Sequence, residues 1–255
     1  MSRSVGNTPD VTSLQGGTAG QVAYQSAPST TAFAGPGTSG QVLTSNGASA
    51  PTFEDVSPGA VSPTYTVYSS GSGSYTSPVG CTYIIAETVG GGGGGGKSTG
   101  TSIAGGGGGA GGYQKVKFSP GTYSYTVGQG AAGTSTAGSD GGGGAIGETA
   151  FGGRSTGGGY GGSGTTYIGG TGGGYGSGPG TLIVASTGGA GQSGSGLPFS
   201  TLGGSSVLGQ PQARSASGSV PAAPLSKGAG GGGVDQYTAT SGAGAPGIII
   251  ITEYY

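Results

Sequence analysis

Gly91, Gly96, Lys97 and Ser98 stand in the order and spacing of a phosphate-binding loop, GxxxxGKS, and a β-branched run ending at Val89 precedes them. In that motif backbone N–H groups cradle the phosphates, lysine neutralises them, and a following helix points its N-terminus at them. Here the chain continues TGTSIAGGGGG, which will not form that helix. No downstream strand ends in an aspartate placed for magnesium. Inside a glycine run from Gly90 to Gly96 the match is nearly automatic, so nucleotide binding is rejected.

Acid–base chemistry fares no better. The eight carboxylates are Asp10, Glu54, Asp55, Glu87, Asp140, Glu148, Asp235 and Glu253. A glycosidase needs two of them facing one cleft, and nothing in their spacing builds one. There is no histidine to serve as base or metal ligand, and Cys81 is the single cysteine. Cys81 opens a strand and reads as a small buried residue. The chain reads as a non-enzyme with no cofactor and no metal.

Recognition chemistry remains. Tyr160, Tyr167, Tyr175 and Phe199 stand between glycine blocks, and Arg214 lies in a longer glycine-poor insertion, 197–227. Aromatic and arginine side chains dominate binding hot spots, and loops on a rigid scaffold are where such residues act. The competing reading is that the tyrosines cap the glycine segments or fill seams between chains. The set of loops together favours recognition.

The scaffold that must position these residues is glycine: 70 of 255 residues are glycine, the charged fraction is 6%, the net charge is -1 and 14 residues are tyrosine. Glycine buries no side chain and loses the most backbone freedom on folding. Such a chain either stays disordered or folds through its backbone. Low charge and apolar residues gathered in short runs favour order, with oligomerisation supplying what a single core lacks. Seven scattered basic residues give no footprint for nucleic acid, and no apolar stretch reaches the roughly 18 to 20 residues of a membrane span. The start, MSRSVGNTPD, lacks a signal-peptide pattern.

The N-terminal region carries a repeat of period 20 at 17–53. Gly17, Thr18, Gly20, Gln21, Val22, Ser29 and Phe33 recur as Gly37, Thr38, Gly40, Gln41, Val42, Ser49 and Phe53. Each unit reads as a GTxG turn, a strand, a second turn and a strand ending in the aromatic. Two units cannot bury their own apolar faces, so neighbours around a symmetry axis are expected. Val22, Phe33, Val42, Leu43 and Phe53 are the expected core of that assembly.

From Thr64 onward, strands are expected at 64–68, 75–78, 81–89, 113–118, 122–128 and 247–255. The pair around Ser119-Pro120-Gly121 reads as a hairpin, and GIIIITEYY as a buried partner for CTYIIAETV. The glycine blocks suit polyglycine II helices, with three residues per turn and about 3.1 Å rise, hydrogen-bonded sideways into a lattice with the insertions as end loops. The fold class is thus all-β with polyglycine II helices, essentially without α-helix. A short β-repeat shaft, trimeric by the resemblance described next, is expected at 1–63, and a glycine-rich domain framed by strands at 64–255.

The succession CTYIIAETV, glycine block, YQKVKFSPGTYSYTVGQGAAGT, further glycine blocks and APGIIIITEYY resembles the glycine-rich domain of bacteriophage tail fibres and related virion proteins. GTSGQVLTSNGASAPTF is similar to segments of phage fibre and tail-spike chains. The resemblance implies a homotrimer in the virion, made in the host cytoplasm. The N-terminus would join other virion proteins, and a distal adhesin would meet a host surface polysaccharide or outer-membrane protein. A capsid head fibre is the nearest alternative, and a polyglycine II ice-binding or cell-wall protein a more distant one. The insertion at 197–227 has no counterpart in the family's pattern.

Overall fold

The structure is a computed structural model that describes residues 16–56, 61–100, 103–143, 147–194, 200–211, 226–238 and 240–255. The chain divides into two units, Met1–Val61 and Ser62–Tyr255. The described residues contain strands and irregular backbone and no α-helix.

In the first unit each repeat folds as an antiparallel hairpin. β1 (Val22–Ala27) pairs with β2 (Thr30–Ala34), and β3 (Gln41–Thr44) pairs with β4 (Thr52–Asp55). The repeated residues do the same work twice. Gln21 and Gln41 accept hydrogen bonds at Oε1 from the N–H of Thr18 and Thr38, at 2.8 and 2.9 Å. Gly20 and Gly40 take left-handed φ values of 82° and 94°. Phe33 lies flat on Gly17 and Phe53 on Gly37, where an added Cβ would approach the rings to 2.8 and 2.5 Å. The period-20 identity is therefore a shared turn and a shared glycine seat for an aromatic ring.

The second unit begins as a β-sandwich. One sheet has the order β12-β8-β7-β13-β5, from β5 (Thr64–Tyr68), β7 (Tyr83–Val89), β8 (Tyr113–Phe118), β12 (Thr181–Ser186) and β13 (Ile248–Tyr254). The other has the order β11-β10-β9-β6, from β6 (Ser72–Thr76), β9 (Thr122–Thr126), β10 (Thr149–Phe151) and β11 (Arg154–Thr156). Alternation in β7 and β13 sends Ile84, Ala86, Ile249 and Ile251 inward. They meet Val116, Phe118, Tyr75, Val127 and Phe151 in one cluster. Phe151 sits edge-on to Phe118 at 5.3 Å between ring centres, and Tyr68 stacks on Tyr125 at 3.9 Å. The buried Glu253 carboxylate is held by hydroxyls alone among its described bonds: Thr66 and Tyr75 at 3.1 Å, and Thr64.

The expected pairing of the C-terminal strand with β7 holds, from Ile248 opposite Val89 to Tyr254 opposite Tyr83. The expected hairpin of 113–118 with 122–128 does not form. Both edges of β8 are occupied, by β7 and β12, so Ser119-Pro120-Gly121 carries the chain across to the opposite sheet. There β9 pairs with β6, and the rings of Phe118 and Tyr123 meet across the core, tilted, at 5.1 Å between centres. Three strands, β10, β11 and β12, lie in glycine-flanked stretches that the sequence reading treated as block or loop. β10 and β11 turn on Gly152 and Gly153 at φ 57° and 79°, the two-residue glycine hairpin.

Candidate recognition surface at the loop end of the glycine lattice

At one end of the sandwich the strands run on into glycine. Segment 90–98 leaves β7, and segment 104–112 returns into β8. The N–H groups of Gly90, Gly93 and Gly96 donate to the carbonyls of Gly112, Gly109 and Gly106. Those of Gly91, Gly94 and Lys97 donate to Gly147, Gly142 and Ser139, and those of Gly92, Gly95 and Ser98 to Ala245, Gly242 and Val234. All nine bonds span 2.7–3.1 Å, and from Gly90 to Lys97 the partner segment recurs with a period of three residues, Ser98 turning to Val234 of a different segment.

Followed throughout, these bonds join ten segments: 90–98, 104–112, 128–134, 139–143 with Gly147, 157–163, 168–174, 188–194, 201–206, 228–234 and 241–247. Segment 104–112 is ringed by six others. It donates to 157–163, 188–194 and 228–234, and accepts from 90–98, 168–174 and 201–206. Segment 90–98 is ringed by six in the same way. The two central segments are buried along their length. Glycine is required there by space. A Cβ on Gly92 would lie 1.9 Å from the Ala229 carbonyl oxygen, and one on Gly108 would lie 2.2 Å from that of Gly93. This closes the question of the phosphate-loop pattern. The N–H groups of Gly91 to Gly96 are all committed to the lattice, and the Lys97 ammonium is buried against the Ser135 carbonyl at 3.1 Å.

The connections fall at two ends. At the sandwich end segments join strands, except 201–206 and 228–234, whose ends Ser206 and Gly228 lie there without a strand between them. At the other end the described connecting residues are 99–100 and 103, 135–138, 164–167, Ser200, and 235–238 with Thr240. Residues 195–199 lie outside the described residues, while their flanks Gly194 and Thr201 are bonded to Tyr167 and Gly233 at this same end.

Local chemistry shapes these turns. The Ser163 hydroxyl accepts from the N–H of Thr165 and Thr166 at 3.3 and 3.1 Å, and Asp140 accepts from Gly164 N–H at 2.9 Å. Asp235 accepts from Tyr237 N–H, Thr238 N–H and the Thr238 hydroxyl at 3.1, 3.0 and 2.9 Å, an Asx turn that lifts Tyr237 out of the lattice. Tyr167 holds a left-handed φ of 60°, one of two non-glycine residues in that region among those described.

The five candidate recognition residues are not brought together. Tyr167 lies at the loop end, half-buried. Tyr160 projects midway along the flank of 157–163, exposed, with its backbone bonded to Gly109 and Thr171. Tyr175 bridges to Thr156 beside the sandwich, at the opposite end. Phe199 and Arg214 lie outside the described residues. The stretch read as one insertion, 197–227, divides. Residues 201–206 thread the lattice, and Ser206 and Gly228 bound the remainder at the sandwich end, beside Val89 and Gly111. In the first unit Val22, Val42 and Leu43 are exposed, and Phe33 and Phe53 half-buried. Sequence reading passed over Tyr237 and Ile168, both at the loop end and at least 60% exposed. The Asp that follows the glycine block at 230–233 was the available turn signal.

The profile of the glycine-rich domain family matches residues 66–254. The chain belongs to the glycine-rich domain family. The match spans the sandwich and every lattice segment of this glycine-rich domain and begins beyond the two hairpins. No curated protein matches the chain.

Proposed function

We propose that this chain is a bacteriophage virion fibre protein whose glycine-rich domain is a distal adhesin for the host cell surface. The observation that carries the reading is the polarity of the lattice. A sandwich holds one end, and the described connections of the other end, 135–138, 164–167 and 235–238 among them, carry exposed residues on backbone-fixed segments, which is how a scaffold presents loops. The three-residue hydrogen-bond period supports polyglycine II geometry, which has three residues per turn.

The first unit is read as the virion-attachment and shaft region, assembled as a homotrimer. In the single chain its hairpins leave Val22, Val42 and Leu43 between 37% and 48% exposed, and Ala34 is the one buried apolar residue among those described. Neighbouring copies would cover that surface. Many copies per particle then turn weak individual contacts into firm adsorption.

Immuno-electron microscopy of intact particles with antibodies to residues 62–255 tests the reading, together with a native mass of the full chain. Label at the tail tip and a trimeric mass are expected. Label on the capsid would replace the tail adhesin with a head fibre. Absence of label from particles would overturn the virion assignment.

A further inference from the structure

Resting on the reading of the loop end as the recognition surface, we infer that its ligand is a neutral glycan, held by the rings of Tyr237 and Tyr167 and by the surrounding threonine and serine hydroxyls. The loop end offers rings and hydroxyls and almost no charge. Tyr237 is 63% and Ile168 60% exposed, and Thr99, Ser135, Thr136, Thr165 and Thr166 are exposed around them. The charges that the sequence places here are turned to internal use. Lys97 is 8% and Asp235 2% exposed, each bonded within the loops. Asp140 is the one exposed formal charge among the described residues of this end, and it caps Gly164.

That inventory selects among surface ligands. A phosphorylated, sulfated or sialylated polymer calls for exposed lysine or arginine, and this end presents none among the described residues. A protein epitope calls for a continuous apolar centre with arginine or tryptophan anchors. Here single rings stand on separate loops, Tyr167 after segment 157–163 and Tyr237 after segment 228–234. A pyranose has apolar C–H faces that lie against an aromatic ring and hydroxyls that exchange bonds with other hydroxyls. Tyrosine meets both needs at low conformational cost. The left-handed Tyr167, fixed by the Gly194 N–H bond to its carbonyl at 2.7 Å, is a strained residue kept at the surface, as binding positions often are.

The test uses the full-length chain on a panel of bacterial strains, with adsorbing cells pretreated either with periodate or with proteinase K. Binding lost to periodate, kept after proteinase and unchanged in high salt is expected. Tyr237→Ala should weaken it roughly tenfold or more, Tyr237→Phe should keep it within about twofold, and Tyr175→Ala at the sandwich end should leave it unchanged. Should Tyr167→Ala fail to fold, the Tyr237 pair still decides the matter. Binding that proteinase removes and periodate spares would overturn the glycan while leaving surface recognition standing. Periodate-sensitive binding abolished by salt would overturn neutrality. Adsorption to no strain would remove the recognition reading itself, and the glycan with it.

Discussion

In the sandwich, Phe151, Ile84, Ile249 and Ile251 are at most 1% exposed and touch other side chains. In the lattice, Gly92, Gly94 and Gly108 are equally enclosed and touch only main chain, with a hypothetical Cβ 1.9 to 2.2 Å from a neighbouring carbonyl group. One core is held by the fit of particular side chains, at roughly 25 cal/mol for each Å² of apolar surface removed from water. The other is held by peptide hydrogen bonds worth about 0.5–1.5 kcal/mol each, set against about 1–2 kcal/mol to order each residue. The lattice therefore depends on being anchored, and the sandwich anchors one end of it. Every strand of the five-stranded sheet except the edge strand β5 continues into a lattice segment.

The contrast can be broken from the side-chain half first. Phe151→Ala should cost about 3–5 kcal/mol, read as a lower urea midpoint for the whole glycine-rich domain. Loss of the sandwich alone, with lattice amides still protected from exchange, would show that the lattice stands without its anchor. Gly92→Ala attacks the other half with a single methyl group. It should cost at least about 1–3 kcal/mol, with amide protection lost first along 90–98. An unchanged exchange pattern would mean the lattice has slack that the 1.9 Å approach denies.

Alkaline pH should separate the halves without a mutation. Burial, followed by the hydrogen bond to Glu253, pushes the Tyr75 hydroxyl well above its ordinary range. Burial, followed by the Glu87 bond, does the same for Tyr113. A phenol with a raised folded pKa contributes stability fully below its unfolded value near 10 and loses it as pH climbs through the folded value. Stability should thus fall above about pH 10, beginning in the strands that carry these tyrosines, and Tyr75→Phe should blunt the fall. The smallest effect belongs to Gly174, where an added Cβ meets nothing within 4 Å. Gly174→Ala should be neutral or stabilise by about 0.4–1 kcal/mol, measured by denaturant titration.

The same contrast explains what could be read from the residues alone. The alternating YQKVKF gave the limits of β8, and the continuous isoleucine run of β13 announced its place beside β7. Side-chain pattern carried that information. The crossing at Ser119–Gly121 was hidden, because Thr122 to Thr126 alternates equally well in a hairpin or in the opposite sheet. What decided it was that β12, TLIVAS among glycines, had already taken the free edge of β8. In the lattice the glycines of one segment are indistinguishable from those of its neighbour, so neither its two centres nor the division of 197–227 was legible. The recognition residues suffered likewise. Tyr160, Tyr167 and Tyr175 look alike between glycine blocks, and only their distance from the sandwich sorts flank, loop end and base.

The three-residue repeat has one more effect. A polyglycine segment that slides by three positions, about 9 Å along its axis, meets the same donors and acceptors again. Its registers are nearly degenerate, and glycine alone cannot choose among them. The residues that break the monotony choose instead. Lys97, Ala110, Ala131 and Val234 are buried at sites where the lattice leaves room for their side chains. They act as punctuation in a text of one letter, so moving one of them along the chain by three would let two neighbouring loops trade length while the scaffold between them is rebuilt unchanged.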